Sequence, residues 1–265
     1  MRLQLPILIF ATACALSAQF GPPPAPPAPG KAGAPIDLTG YWVAYVTEDW
    51  RWRMVTPLKG DAASVPTNAA ARQVIDAWDP AKDEAAGLQC KAYGAPAIMR
   101  VPGRLHITWQ DDLTLKIETD AGQQTRLLHF AAQVPRAAGQ PTRDAAPSWQ
   151  GYSAAKWEGP APTVNPPINF GLGLGPRFGS RSRSLEVTTT NLRAGYLRKN
   201  GVPYSAKANL TEYYDLFSEP NADTWFMVTT IVDDPTYLAV PFVTTSHFKK
   251  IADASGWDPE PCTAR

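Results

Sequence analysis

The chain has 265 residues, 44% of them hydrophobic and 10% aromatic, with 25 Lys+Arg against 24 Asp+Glu. A near-neutral chain with only 18% charged residues carries no electrostatic footprint for nucleic acid, and its apolar content argues against disorder over most of its length. The length suits a single all-β domain with a sizeable core.

Met1-Arg2 precedes an apolar run over residues 3–15 that is too short to span a bilayer, and small residues follow at Ser17-Ala18. Residues 1–18 therefore read as a signal peptide cleaved near Ala18, which predicts a periplasmic or secreted protein. Cys14, preceded by Ala11-Thr12-Ala13, offers lipoprotein anchoring as the alternative. Proline recurs through residues 19–36, where an extended polyproline-like tether is expected. No later segment is apolar enough to form a transmembrane helix. Loss of the leader leaves Cys90 and Cys262, an even pair that predicts a disulfide in an oxidising compartment, with a catalytic thiol as the alternative. Their separation matches neither a zinc knuckle nor a redox Cys-x-x-Cys pair.

The domain itself is expected over 37–265. Large apolar residues alternate with smaller or charged ones over 41–47 and 50–55, predicting two strands before Pro57, Gly60 and Asp61 break the run. Between Asn68 and Trp78 the spacing turns helical, with Val74, Ile75 and Trp78 on one face and a stop at Asp79-Pro80; a further short turn ends at Gly87. Strands are predicted again at 105–110, 113–118 and 125–130, joined through Asp111-Asp112 and Asp120-Ala121-Gly122 as a meander. Irregular stretches follow at 133–148 and 159–183, the second holding a Pro/Gly-rich loop insertion over 160–183. Four more strands are predicted at 184–190, 210–218, 225–232 and 240–249. Nine or more strands with one short helical insert predict an all-β, antiparallel barrel, because closure removes exposed edges.

The opening Asp37-Leu38-Thr39-Gly40-Tyr41-Trp42 carries a Gly-x-Trp signature and resembles the first strand of lipocalin-like (calycin) barrels; the resemblance implies that Trp42 plugs the barrel base. Over most of 37–262 the chain also resembles a set of uncharacterised secreted bacterial proteins. Their Gly-x-Ser-x-x-x-Trp-Glu-Gly stretch corresponds to Gly151 through Gly159, their Thr-Glu-[RY]-[FY] strand to Thr211-Glu212-Tyr213-Tyr214, and their Asp-Asp-Pro turn to Asp233-Asp234-Pro235. Tyr152 stands where histidine is common in that group, and residues 160–183 interrupt a usually direct connection. This resemblance implies fold and secretion and transfers no catalytic residue.

Three histidines, His106, His129 and His247, fall in predicted strands. Three imidazoles make a catalytic zinc site with an open position, but no short spacing fixes any two on one face, so no metal or cofactor is expected. As single acid–base groups, His106 beside Asp111 or Asp112, His129, and Tyr152 are the candidates. Trp50-Arg51-Trp52-Arg53, read as a strand, puts tryptophans on one face and arginines on the other. Inward tryptophans line a cavity for a flat apolar molecule, inward arginines pair a carboxylate, sulfate or phosphate, and the plain alternative is core Trp with solvated Arg. Trp109 and Tyr213 join them as candidate ligand contacts. Gly151-Tyr152-Ser153 approaches a nucleophile elbow without its strand–turn–helix frame, and Glu212 and Asp215 are carboxylates in an apolar strand.

The reading these features support is a barrel that binds a small apolar or aromatic molecule, with the 160–183 loop over its mouth. The alternative is a cofactor-independent lyase, hydratase or isomerase using a His/carboxylate pair. A structural or accessory envelope protein is expected if side chains fill the barrel completely.

Overall fold

The computed structural model describes residues 28–131, 146–158 and 184–265, so the leader, Cys14 and the loop over 160–183 lie outside the described residues. The strands are β1 Gly40–Tyr45, β2 Arg104–Asp111, β3 Thr114–Thr119, β4 Thr125–Phe130, β5 Tyr152–Trp157, β6 Ser184–Thr190, β7 Gly195–Arg198, β8 Val202–Tyr204, β9 Asn209–Ser218, β10 Thr224–Asp233 and β11 Phe242–Ile251. Nine of them close into a barrel in the order β1-β11-β10-β9-β6-β5-β4-β3-β2, and β7 and β8 form a separate hairpin. The barrel is mixed where a purely antiparallel one is predicted, because β4 and β5 pair parallel, Leu128 opposite Ser153 and Phe130 opposite Ala155. A parallel neighbour needs a crossover of about a dozen residues or more, and the long connection from β4 to β5 supplies it.

Alternation sets what the barrel contains. Along β10, Phe226, Val228, Thr230 and Val232 are buried while their neighbours are partly exposed, and β11 follows the same period. Trp42 is fully buried and donates its indole N–H to the Leu38 carbonyl at 2.9 Å. Its ring meets Phe226 edge-on at 4.7 Å, and Phe226 stacks on Phe248 at 4.8 Å. With Ile107, Ile117 and Leu185 also fully or almost fully buried, side chains fill the lumen at this level.

All helical elements of the described residues except the 3-10 turn at Gly30–Gly33 lie in one insert between β1 and β2: α1 Trp50–Arg53, α2 Ala69–Ala77, α3 Pro80–Ala85, a 3-10 turn Gln89–Tyr93 and α4 Ala95–Ile98. Side-chain caps hold the helix and the following turn: Asn68 accepts from the Ala71 N–H, Asp79 accepts from the Ala81 N–H, and Pro80 opens α3. The insert and the β7–β8 hairpin share a second apolar core, including Ile75, Leu197, Val202, Tyr204 and Phe242, that roofs the barrel end where β2 begins. A disulfide joins Cys90 in this roof to Cys262.

Two predicted boundaries move. Residues 50–53 are a single helical turn and not a strand: Asp49 takes a left-handed conformation (φ 51°), and the Met54 N–H bonds the Trp50 carbonyl. Residues 30–36, expected as the last part of a tether, belong to the fold: the Gly30 carbonyl accepts the Trp157 indole N–H at 2.7 Å, and Ala34 and Ile36 pack on the barrel core. They attach at the barrel end opposite the roof, where β5 finishes.

Candidate functional site

The helical turn of α1 splits the Trp-Arg-Trp-Arg run differently from a strand. Trp50 and Arg51 face solvent, whereas Arg53 is buried and Trp52 half-buried. Both inner residues line a narrow, half-open cleft between the roof segments. Arg100, after α4, and Arg198, at the end of β7, line it too; Pro57, Val101 and Leu197 supply apolar wall.

Three guanidiniums thus converge from three distant parts of the chain, at 8%, 6% and 5% exposure for Arg53, Arg100 and Arg198. Arg53 donates from Nε to the Arg100 carbonyl at 2.9 Å and from Nη1 to Glu48 at 3.1 Å. Arg100 donates to Asp49 at 2.7 Å, and Arg198 to the Ser64 hydroxyl at 2.7 Å. Arg198 lies 5.0 Å from the centre of the Trp52 ring, and Arg100 lies 5.6 Å from that of Phe242. The Trp52 indole N–H bonds Asp61 at 3.1 Å, which fixes the ring as one wall. Burial, reinforced by the repulsion of Arg100, pulls both Arg53 and Arg198 down to about 10.

A second polar group sits inside the barrel. Arg126 of β4 and Glu212 of β9 are both fully buried and form a two-pronged ion pair at 2.6 and 2.9 Å. The Tyr214 hydroxyl donates to the same carboxylate at 3.4 Å, and the Ser153 and Thr189 hydroxyls share a bond at 2.8 Å alongside. Burial works against the charge on Arg126, yet Glu212 more than offsets it and holds the guanidinium proton above its ordinary value. Burial also raises the Tyr214 phenol, Glu212 adding to the effect. Ser153 stands mid-strand in this network, at 2% exposure, so the nucleophile-elbow geometry is absent.

The remaining predicted residues fall elsewhere. His106 stacks on Tyr41 at 4.2 Å on the outer barrel wall and pairs with Glu118 at 3.3 Å instead of with Asp111 or Asp112. Those two are engaged in the β2–β3 turn, where Asp111 accepts the Leu113 N–H and the Asp112 carbonyl accepts the Lys31 N–H. His129 stacks on Tyr152 at 5.2 Å, also on the outer wall, and His247 pairs with Glu48. Among the described residues no cluster of three His, Cys, Asp or Glu side chains has metal-binding geometry. Trp109 packs beside Phe130, and Tyr213 sits on the outward face of β9, so neither borders the cleft. Asp215 pairs with Ser184. The sequence reading found Arg53 and Trp52 but missed Arg100, Arg198 and Arg126, whose partners lie far from them along the chain.

Comparison with protein-family models, with curated proteins and with solved structures finds no match to this chain in any of the three.

Proposed function

We propose that this protein is a small-molecule-binding barrel whose ligand occupies the roof cleft and not the lumen, and that it works outside the cytoplasm, as its Cys90–Cys262 disulfide supports. The observation that carries the reading is the contrast between the two spaces. The lumen is occupied by Trp42, Phe226, Phe248 and the Arg126–Glu212 pair, whereas the roof holds a concave space walled by the fixed Trp52 ring, apolar side chains and a few polar groups. The His106–Glu118 pair of the enzyme alternative lies on the outer wall, away from this space, whereas Glu48, which pairs with His247, also holds Arg53 of the cleft.

Trp52 makes the reading testable. Small neutral and charged aromatic compounds are titrated against the protein, with tryptophan fluorescence recorded, and against Trp52→Phe. A saturable signal present in the parent and absent in the variant supports the cleft. A saturable signal that Trp52→Phe leaves intact moves the site elsewhere, and no saturable signal from any compound sinks the reading.

A further inference from the structure

The three arginines of the cleft keep more donors than the protein satisfies. Among the described residues, Nη2 of Arg53, Nη1 of Arg100, and both Nε and Nη1 of Arg198 are buried with no protein acceptor. A buried N–H without a partner is costly, and more so on a charged group, so four in one place require an explanation. The neighbouring carboxylates do not supply it. Glu48 is shared between Arg53 and His247, Asp49 serves Arg100, and Asp61 is taken up by the Trp52 indole and the Ala63 N–H. Lys199 also lines the cleft, but its ammonium is bonded to the Thr263 hydroxyl at 2.9 Å. The three guanidiniums therefore keep unsatisfied donors beside a cleft closed on one side by the Trp52 ring.

The structure assigns this cleft to a small organic oxyanion, a carboxylate or a phosphate or sulfate ester, whose charged group takes the spare N–H donors of Arg53, Arg100 and Arg198 while its body lies against Trp52. The assignment rests on the small-molecule-binding reading above and names its ligand class. Guanidiniums suit this task because their planar forks match the paired oxygens of such groups. They are also held before any ligand arrives, Arg53 by the Arg100 carbonyl, Arg100 by Asp49 and Arg198 by Ser64, so little ordering is left for binding to bring about.

The test uses the full chain and three probes of one shape: phenyl phosphate, benzoate and phenol, measured by calorimetry at constant ionic strength in chloride. The expected result is that one or both anions bind, phenol binds at least about tenfold more weakly, and sulfate competes where equal chloride does not. Preference between phenyl phosphate and benzoate then separates a phosphate-type from a carboxylate ligand. Arg198→Gln and Arg100→Gln should each weaken the anion by about tenfold or more, and Arg198→Lys, which keeps the charge and loses the fork, should fall between. Equal binding of phenol and the anions overturns the oxyanion assignment while leaving a cleft ligand in place. Anion binding unchanged in Arg198→Gln and Arg100→Gln proteins that melt like the parent overturns it as well. Should these variants fail to fold, the sulfate competition and the phenol comparison on the parent decide alone, and failure of all three probes removes both the assignment and the reading beneath it.

Discussion

Arg126 on β4 and Glu212 on β9 meet fork to fork across the barrel interior, both at 0% side-chain exposure, although 86 residues separate them in the chain. A charge pair so deep has surrendered its hydration, and only the geometry of its partner compensates. Removing one member leaves the other stranded. Arg126→Met is expected to lower the unfolding free energy by about 3–5 kcal/mol, and the double change Arg126→Met with Glu212→Leu by clearly less than the sum of the single ones. Urea unfolding of the four proteins of this cycle checks both statements; additive losses would show that the two side chains do not act as a pair.

Asp61 provides a reporter for the cleft in acid. The Ala63 backbone N–H and the Trp52 indole both donate to its carboxylate and hold it below its ordinary value of 3.8. A carboxyl lowered in the folded protein contributes stability that is present above its unfolded value and lost as pH falls through the folded one. The indole N–H resonance of Trp52 should therefore titrate with a midpoint below 3.8. A midpoint above 3.8 contradicts the arrangement, and Asp61→Asn should abolish the titration.

The Cys90–Cys262 bond closes a loop with a sequence separation of 172. In the chain-entropy account a loop of that size is worth about 5 kcal/mol, acting on the unfolded state. Reduced protein, or Cys262→Ala, is expected to unfold at distinctly lower urea than the oxidised parent with nearly the same barrel spectrum by far-UV circular dichroism. Coincident urea midpoints would contradict this.

Gly201 turns the β7–β8 hairpin at φ +84°, and a Cβ there would stand 2.2 Å from Cγ of the buried Trp78. Gly201→Ala has to strain the backbone and displace an indole near its root, a cost of about 2 kcal/mol or more. Since the same hairpin carries Arg198, binding at the cleft should weaken in this variant too. A thermal melt indistinguishable from the parent's would show that the roof repacks freely.

What could be read from the chain follows from how local the cause is. Strands 125–130 and 184–190 coincide with the predicted ones, and α2 and α3 announce themselves through Asn68, Asp79 and Pro80. Strand β5 escaped, as Ser153 and Ala154-Ala155 dilute the pattern between Tyr152 and Trp157. Trp50-Arg51-Trp52-Arg53 alternates like a strand, but Asp49 turns the backbone and the carbonyl of Arg100, 47 residues away, claims Arg53. Such a tertiary partner outweighs a local preference worth about 1 kcal/mol at most. The cleft was half legible for the same reason: Arg53 and Trp52 sit in a conspicuous run, whereas Arg100 and Arg198 acquire meaning only once the insert and the hairpin roof the same barrel end.

The bond from the Trp157 indole to the Gly30 carbonyl pins the start of the described chain to the barrel end opposite the roof, while the arginine cleft lies in the roof. A bead or fused protein coupled directly at Ala28 therefore stands at the far end of the barrel from the cleft. An immobilised sensor built on attachment at Ala28 should keep the cleft's full binding capacity, whereas attachment through Lys199, which lines the cleft, should block it.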